Sequence, residues 1–212
     1  QAKARGICIS GEACAHHFTL TDAAIGGSEH FWAEDGRELQ TESQRTEWPS
    51  FDTNCKMNPP LRTESDRVAL LDGLEDGTID CIATGHAPHT DYEKDVEFDY
   101  APYGVIGLET ALAATLEQLY HSKRLSLSGT LSLLTHRASE VLNLNKGTLS
   151  VGADADIAII DPDFEWTPNA YSFLSKSANS PWIGRALKGK TIKTLVSGNL
   201  VYDDGKIVKK IV

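Results

Sequence analysis

No stretch of this 212-residue chain approaches the roughly 20 consecutive apolar residues that a membrane helix needs, and no secretory leader is visible. Basic residues are in deficit, 20 against 30 acidic, for a net charge of −10. That balance weighs against a nucleic-acid backbone or an anionic membrane surface as partner. Cysteine is sparse: Cys8, Cys14, Cys55 and Cys81 form no Cys-x-x-Cys pair, which excludes a zinc ribbon. Cys8 and Cys81 fall in apolar runs and are expected as core thiols of a cytoplasmic protein. There is no internal repeat and no low-complexity tract. The glycine-rich stretch Ala101–Thr110 is followed by no Lys-Ser or Lys-Thr, so it is not a phosphate-binding loop. What remains, 41% apolar and 24% charged residues, is the make-up of an ordinary globular protein with a core to bury. The chain opens at Gln1, and Gln1–Gly6 reads as the end of a helix, so an internal fragment or a trimmed product is expected.

Local patterns predict alternating strands and helices. Gly6–Cys14 reads as a buried strand with His16 and His17 at its end, two neighbours that would face opposite ways on a strand. Gly26–Phe51 is polar and acidic but carries Trp32 and Trp48, the pattern of a long loop or lid. Thr63–Gly77 reads as a helix, capped by Thr63 with Asp66 three residues on, and with Val68, Leu71 and Leu74 on its apolar face. Asp80–Thr84 is the next strand. Helices are expected over Val105–His121, with Leu108, Leu112, Leu116 and Leu119 on one face, and over Ser128–Leu142. Strand followed by helix argues for a parallel α/β architecture. After Asn145 the pattern turns to β: two short strands over Lys146–Pro162, then Lys190–Lys209 with turn signals at Ser197-Gly198-Asn199 and Asp203-Asp204-Gly205.

The chemistry concentrates in Ala83-Thr84-Gly85-His86-Ala87-Pro88-His89, where two histidines flank a proline at the end of a strand. Such placement suits a metal-dependent or proton-transfer site. A second anchor is Lys56-Met57-Asn58-Pro59-Pro60-Leu61-Arg62, a rigid Pro-Pro loop whose Asn can both donate and accept. A third is Ala101-Pro102-Tyr103-Gly104-Val105-Ile106-Gly107-Leu108-Glu109-Thr110, where glycine permits close backbone approach to a planar ligand. All three resemble motifs of the dihydroorotases, in the amidohydrolase superfamily: Ala-Thr-Asp-His-Ala-Pro-His, Asn-Pro-Pro-Leu-Arg and Ala-Pro-x-Gly-x-x-Gly-Leu-Glu-Thr. Glu12–Phe18 is similar to Glu-Val-Thr-Pro-His-His-Leu of the same family. Lys146–Pro162 and Ser175–Trp182 are similar to its closing segment.

The resemblance implies an α/β fold: the second half of a (β/α)8 TIM-like barrel over residues 1–145, with strands of a small β-sandwich over 146–212. It implies reversible hydrolysis of L-dihydroorotate to N-carbamoyl-L-aspartate at a binuclear zinc site. Asn58, His89, Tyr103 and Gly104 inherit substrate binding. Gly85 stands where the family has the Asp that ligates metal and shuttles the proton, so that step needs a substitute such as water, His86 or a group in the missing half. The resemblance places the family's metal histidines outside this sequence, which leaves no metal ligand here and makes His16 and His17 supporting or packing residues. Arg62 is expected in an ion pair, and Asp154 and Asp156 as turn and strand residues. The implied partners are the N-terminal half, a second copy of the chain and aspartate transcarbamoylase. The rival reading is a catalytically degenerate scaffold subunit. Hydantoinases share the fold but lack the combined Asn-Pro-Pro-Leu-Arg and Ala-Pro-His motifs, and rank lower.

Overall fold

The computed structural model describes residues 2–27 and 50–208. Most of the expected Gly26–Phe51 loop therefore lies outside the described residues. The first strand, β1 (Glu12–Cys14), runs directly into a one-turn helix, α1 (Ala15–Thr19), and then α2 (Ala23–Gly26). Helix α3 (Glu64–Glu75) leads to β2 (Cys81–Ala83), which pairs parallel with β1 so that Cys14 faces Ala83. The short α4 (Asp91–Lys94) follows, then α5 (Ala111–Thr115), continued by a π-helical turn over Leu116–His121. Helices α6 (Leu127–Leu134) and α7 (His136–Val141) precede the antiparallel sheet β3 (Ile157–Trp166), β4 (Leu187–Val196), β5 (Asn199–Asp203) and β6 (Lys206–Ile207), in that order.

Helix α3 forms as its sequence dictates. The Thr63 side chain accepts the Asp66 N–H, while Leu71 and Leu74 bury completely. Each such burial contributes about 1.5–3 kcal/mol. Phe18, Leu20, Leu119 and Leu133 complete one continuous core, which also takes in Trp182 and, from the β-sheet, Leu187. Gly189 of β4 lies so close on Leu116 that a side chain there has no room, and Trp166 Nε1 donates to its carbonyl (3.0 Å). The sheet is thereby seated on the π-helical turn.

Four expectations are corrected. The strand read over Gly6–Cys14 is confined to Glu12–Cys14, because only there does β2 supply hydrogen bonds; Ile7, Cys8 and Ile9 are exposed, so Cys8 is no core thiol. The helix read from Val105 begins at Ala111, and Leu108 is exposed. The helix read over Ser128–Leu142 breaks at Thr135, whose backbone leaves helical geometry (φ −129°, ψ −92°). Of the two strands read over Lys146–Pro162, none forms between Lys146 and Asp156, since Lys146 is drawn onto Asp154 and Asp156 (2.7 and 2.6 Å) and Gly147 and Gly152 turn the chain at positive φ. The two turn signals near the C-terminus do form turns, at Ser197-Gly198 and Asp204-Gly205.

Candidate functional site

Parallel strands deliver their C-terminal ends to one side, and the motif residues gather there. At the end of β1 the chain switches at once from strand to helix. This places Cys14, His16 and His17 together, their ligand atoms all within 4.8 Å of one another. The two rings stand 4.2 Å apart. The sequence reading had them on a strand facing opposite ways; the helical turn of α1 brings both into one cluster. His16 is buried, and burial, followed by the neighbouring His17, lowers its pKa to about 3, so it is neutral. His17 Nε2 lies 2.7 Å from the Pro59 carbonyl. A carbonyl only accepts, so Nε2 carries the hydrogen and Nδ1 keeps its lone pair free. A neutral imidazole with one nitrogen tied to a carbonyl is the arrangement metal-binding histidines adopt.

Gly85 stands over this cluster, two residues beyond β2, at φ +60°. A Cβ there would fall 2.7 Å from His16 Cε1 and 3.0 Å from Cys14 Sγ. The space of a side chain at position 85 is thus taken by sulfur and imidazole.

The other motif residues form a rim. Asn58 is exposed, beside the Pro59 that holds His17. Two residues earlier, the Lys56 carbonyl accepts the Gly104 N–H (2.9 Å), which ties the Pro-Pro loop to the glycine loop. The Lys56 ammonium sits 4.8 Å from the centre of the Tyr103 ring and donates to the Asp99 carbonyl (2.9 Å). His89 Nε2 donates to the Tyr103 carbonyl (2.9 Å), and its Nδ1 is 3.9 Å from Glu93. Gly104 adopts φ +113° and a Cβ on it would overlap Ala87, so the approach of the two loops requires glycine. Its N–H and C=O are both engaged within the protein, while the Tyr103 ring stands half-exposed. His86 is not in the donor cluster: its Nδ1 accepts from the N–H groups of Gly107 and Leu108 (3.2 and 3.4 Å). Arg62 pairs with Asp66 at 3.4 Å.

One residue of the Ser175–Trp182 segment, with no site role expected from the sequence, holds this rim together. Asn179 is buried, and its side chain accepts the His89 N–H (3.1 Å) while donating to the carbonyls of Ala87 (3.0 Å) and Gly104 (3.3 Å). Its own carbonyl accepts the Ile106 N–H (3.0 Å). Partners about 90 and 75 residues away leave no local signal for it.

Lys94 pins the outer loop. Its buried ammonium donates to the carbonyls of Thr53 and Pro102 (2.9 and 2.8 Å), the latter next to Tyr103. Burial pushes its pKa down from 10.5 to about 8. Between those values the unfolded chain holds a proton that the folded chain has released, so this lysine makes the fold more stable as pH rises through that window. Below pH 8 its contribution is flat. Burial raises the Cys55 thiol, which acts in the opposite sense at alkaline pH. The readout is therefore a difference. Denaturant unfolding at pH 7.5 and 9.5, run beside Lys94→Met, is expected to show a rise with pH for the unaltered protein relative to the variant. Parallel curves would contradict it.

Comparison with known proteins follows the same lines. Residues 11–201 match the amidohydrolase family. The chain is 44% identical to the dihydroorotase of Geobacter sp. (strain M21), covering 96% of this chain and 42% of that protein. It is 44% identical to the dihydroorotase of Endomicrobium trichonymphae, covering 95% and 43%. Among solved structures, the L-hydantoinase (dihydropyrimidinase) of Arthrobacter aurescens superposes with a TM-score of 0.79 at 26% identity, covering 99% of this chain and 43% of that one. The D-hydantoinase (dihydropyrimidinase) of Thermus sp. gives 0.76 at 25% identity, with 99% and 42% covered. The chain thus spans less than half the length of the relatives it matches. Among the described residues no helix is long and apolar enough to cross a membrane.

Proposed function

This chain belongs to the amidohydrolase family, and on that premise we propose that it carries the substrate rim and part of the metal centre of a dihydroorotase. The observation that carries the reading is the convergence of Asn58, His89, Tyr103 and Gly104 on one rim above Cys14, His16 and His17. The 44% identity to named dihydroorotases favours dihydroorotate over other cyclic amides. Nothing in the comparisons supports a scaffold role.

The donor set suits zinc, a borderline-soft ion that takes imidazole and thiolate. His16 and His17 would hold it here: one is kept neutral by burial, the other oriented by Pro59. When bound, the ion supplies Lewis-acid polarisation of the scissile carbonyl and activation of water. The Asn58 amide orients the polar ring from the rim without adding charge. His89, held between the Tyr103 carbonyl and Glu93, would be the residue that meets the substrate carboxylate. Gly85 has no side chain to move a proton, and His86 already accepts two backbone hydrogen bonds. The proton for the leaving nitrogen would then come from water or from a group in the missing half.

The test is hydrolysis of L-dihydroorotate and closure of N-carbamoyl-L-aspartate by the full-length protein with zinc supplied, with hydantoin and dihydrouracil run alongside. Turnover of dihydroorotate is expected. Turnover of hydantoin or dihydrouracil alone would replace this reading with that of the structural neighbours. Asn58→Ala is expected to raise KM about tenfold to a hundredfold, since a hydrogen bond left unmade to a bound polar group costs about 1–3 kcal/mol. An unchanged KM would remove Asn58 from the site.

A further inference from the structure

The cluster beneath Gly85 differs from a pair of histidines in one respect: a sulfur is part of it. Cys14 Sγ lies with the ligand nitrogens of His16 and His17 inside 4.8 Å. It also lies 3.0 Å from where residue 85 would begin a side chain, with Cys14 Cβ at 3.4 Å. Two independent features thus meet at one point: a set of three donors, and a backbone position stripped of its side chain where the sulfur stands. A side chain at 85 would strike Cys14 and His16, so glycine there is what lets the sulfur and the ring occupy this space. The positive φ of Gly85 (+60°) adds a second reason for glycine.

We propose that Cys14 supplies a thiolate ligand to a divalent metal held jointly with His16 and His17, in the place that a side chain at position 85 would otherwise fill. This rests on the functional reading above and extends it to the identity of one ligand. Binding forms an S–metal bond and releases the thiol proton to solvent. Two imidazoles and a thiolate are donors that zinc takes in its protein sites. A thiolate selects zinc or cobalt over magnesium or calcium, which prefer oxygen. The reach from 4.8 Å to bonding distance is a matter of side-chain rotation, because His17 already has its Nδ1 free and Cys14 is only half-buried.

The experiment is cobalt(II) substitution of the full-length protein, followed by absorption spectroscopy. A sulfur-to-cobalt charge-transfer band in the near ultraviolet is expected. It should vanish in Cys14→Ser and persist in Cys8→Ser, whose thiol is exposed and is not one of the three clustered donors. Losing a supporting partner of a ligand costs 10–100-fold in metal affinity, so losing the ligand itself should weaken cobalt binding about a hundredfold or more. X-ray absorption of the zinc form needs no variant: one sulfur at about 2.3 Å, with nitrogens at about 2.0 Å, is expected. A bound metal surrounded only by nitrogen and oxygen would overturn the thiolate ligand. So would a charge-transfer band that survives Cys14→Ser. Neither result bears on dihydroorotate turnover, which is measured separately and decides the underlying reading.

Discussion

Asn179→Ala is expected to destabilise the protein by about 3 kcal/mol and to impair binding at the rim more than any change to an exposed rim residue. The side chain makes three hydrogen bonds from a buried position, to His89, Ala87 and Gly104. Each is worth about 1 kcal/mol net, and a buried partner left alone costs about 1–3 kcal/mol. Alanine abandons one N–H and two carbonyls together, so the loss exceeds that of a single bond. The Ile106 contact survives, because it is made by the backbone of residue 179. The fold should therefore persist in weakened form while the loops carrying His89 and Gly104 drift apart. Asn179→Asp should fare no better, since it sets carboxylate oxygens against the carbonyls of Ala87 and Gly104. Urea denaturation gives the stability change, and KM gives the effect on the rim. A denaturation midpoint equal to that of the unaltered protein would show that the clamp is dispensable.

Gly107→Ala is expected to cost about 3 kcal/mol or more, from a single methyl group. A Cβ at this position would collide with the Thr84 carbonyl oxygen and lie 3.0 Å from its carbonyl carbon. Those atoms belong to the backbone immediately before Gly85, so they cannot swing aside as a flexible side chain would. Forcing extra volume into a packed site typically costs 1–3 kcal/mol and occasionally more. The displacement would also pull the Gly107 N–H from His86 Nδ1 and move Gly85 relative to Cys14 and His16. Metal affinity should consequently fall along with stability. Gly11→Ala is the internal comparison: nothing lies within 4 Å of its Cβ, and the change should stay within about 0.5 kcal/mol. If the two variants unfold at the same denaturant concentration, the close approach of Gly107 to Thr84 is not what the packing requires.

The two substitutions also mark where sequence reading stops. Features set by residues a few positions apart were legible. Thr63 caps α3 through Asp66 three residues on, and the Ser197-Gly198 and Asp204-Gly205 turns reverse the chain where glycine can take positive φ. The three motifs that suggested the family were contiguous, and the family match over residues 11–201 agrees with them. Leu71 and Leu74 announced their buried face by spacing alone.

Features that depend on distant contacts were not legible. Val105–Thr110 carries helical spacing, yet Gly107 and Leu108 spend their N–H groups on His86 instead of on a helix. Ile7 and Ile9 look like core residues and are exposed, because burial needs a neighbouring strand and the pattern cannot supply one. His16 and His17 share a cluster only because the chain turns helical immediately after Cys14, a switch driven by packing Phe18 and Leu20 into the core. The sequence by itself determined the family, the local turns and caps, and the absence of a side chain at position 85. Only the tertiary structure decided that Cys14 fills the space beside Gly85 and that Asn179 joins loops about 90 residues apart. Propensity and periodicity act over a few residues, whereas a site is assembled by hydrogen bonds and excluded volume between segments that meet only in the folded chain.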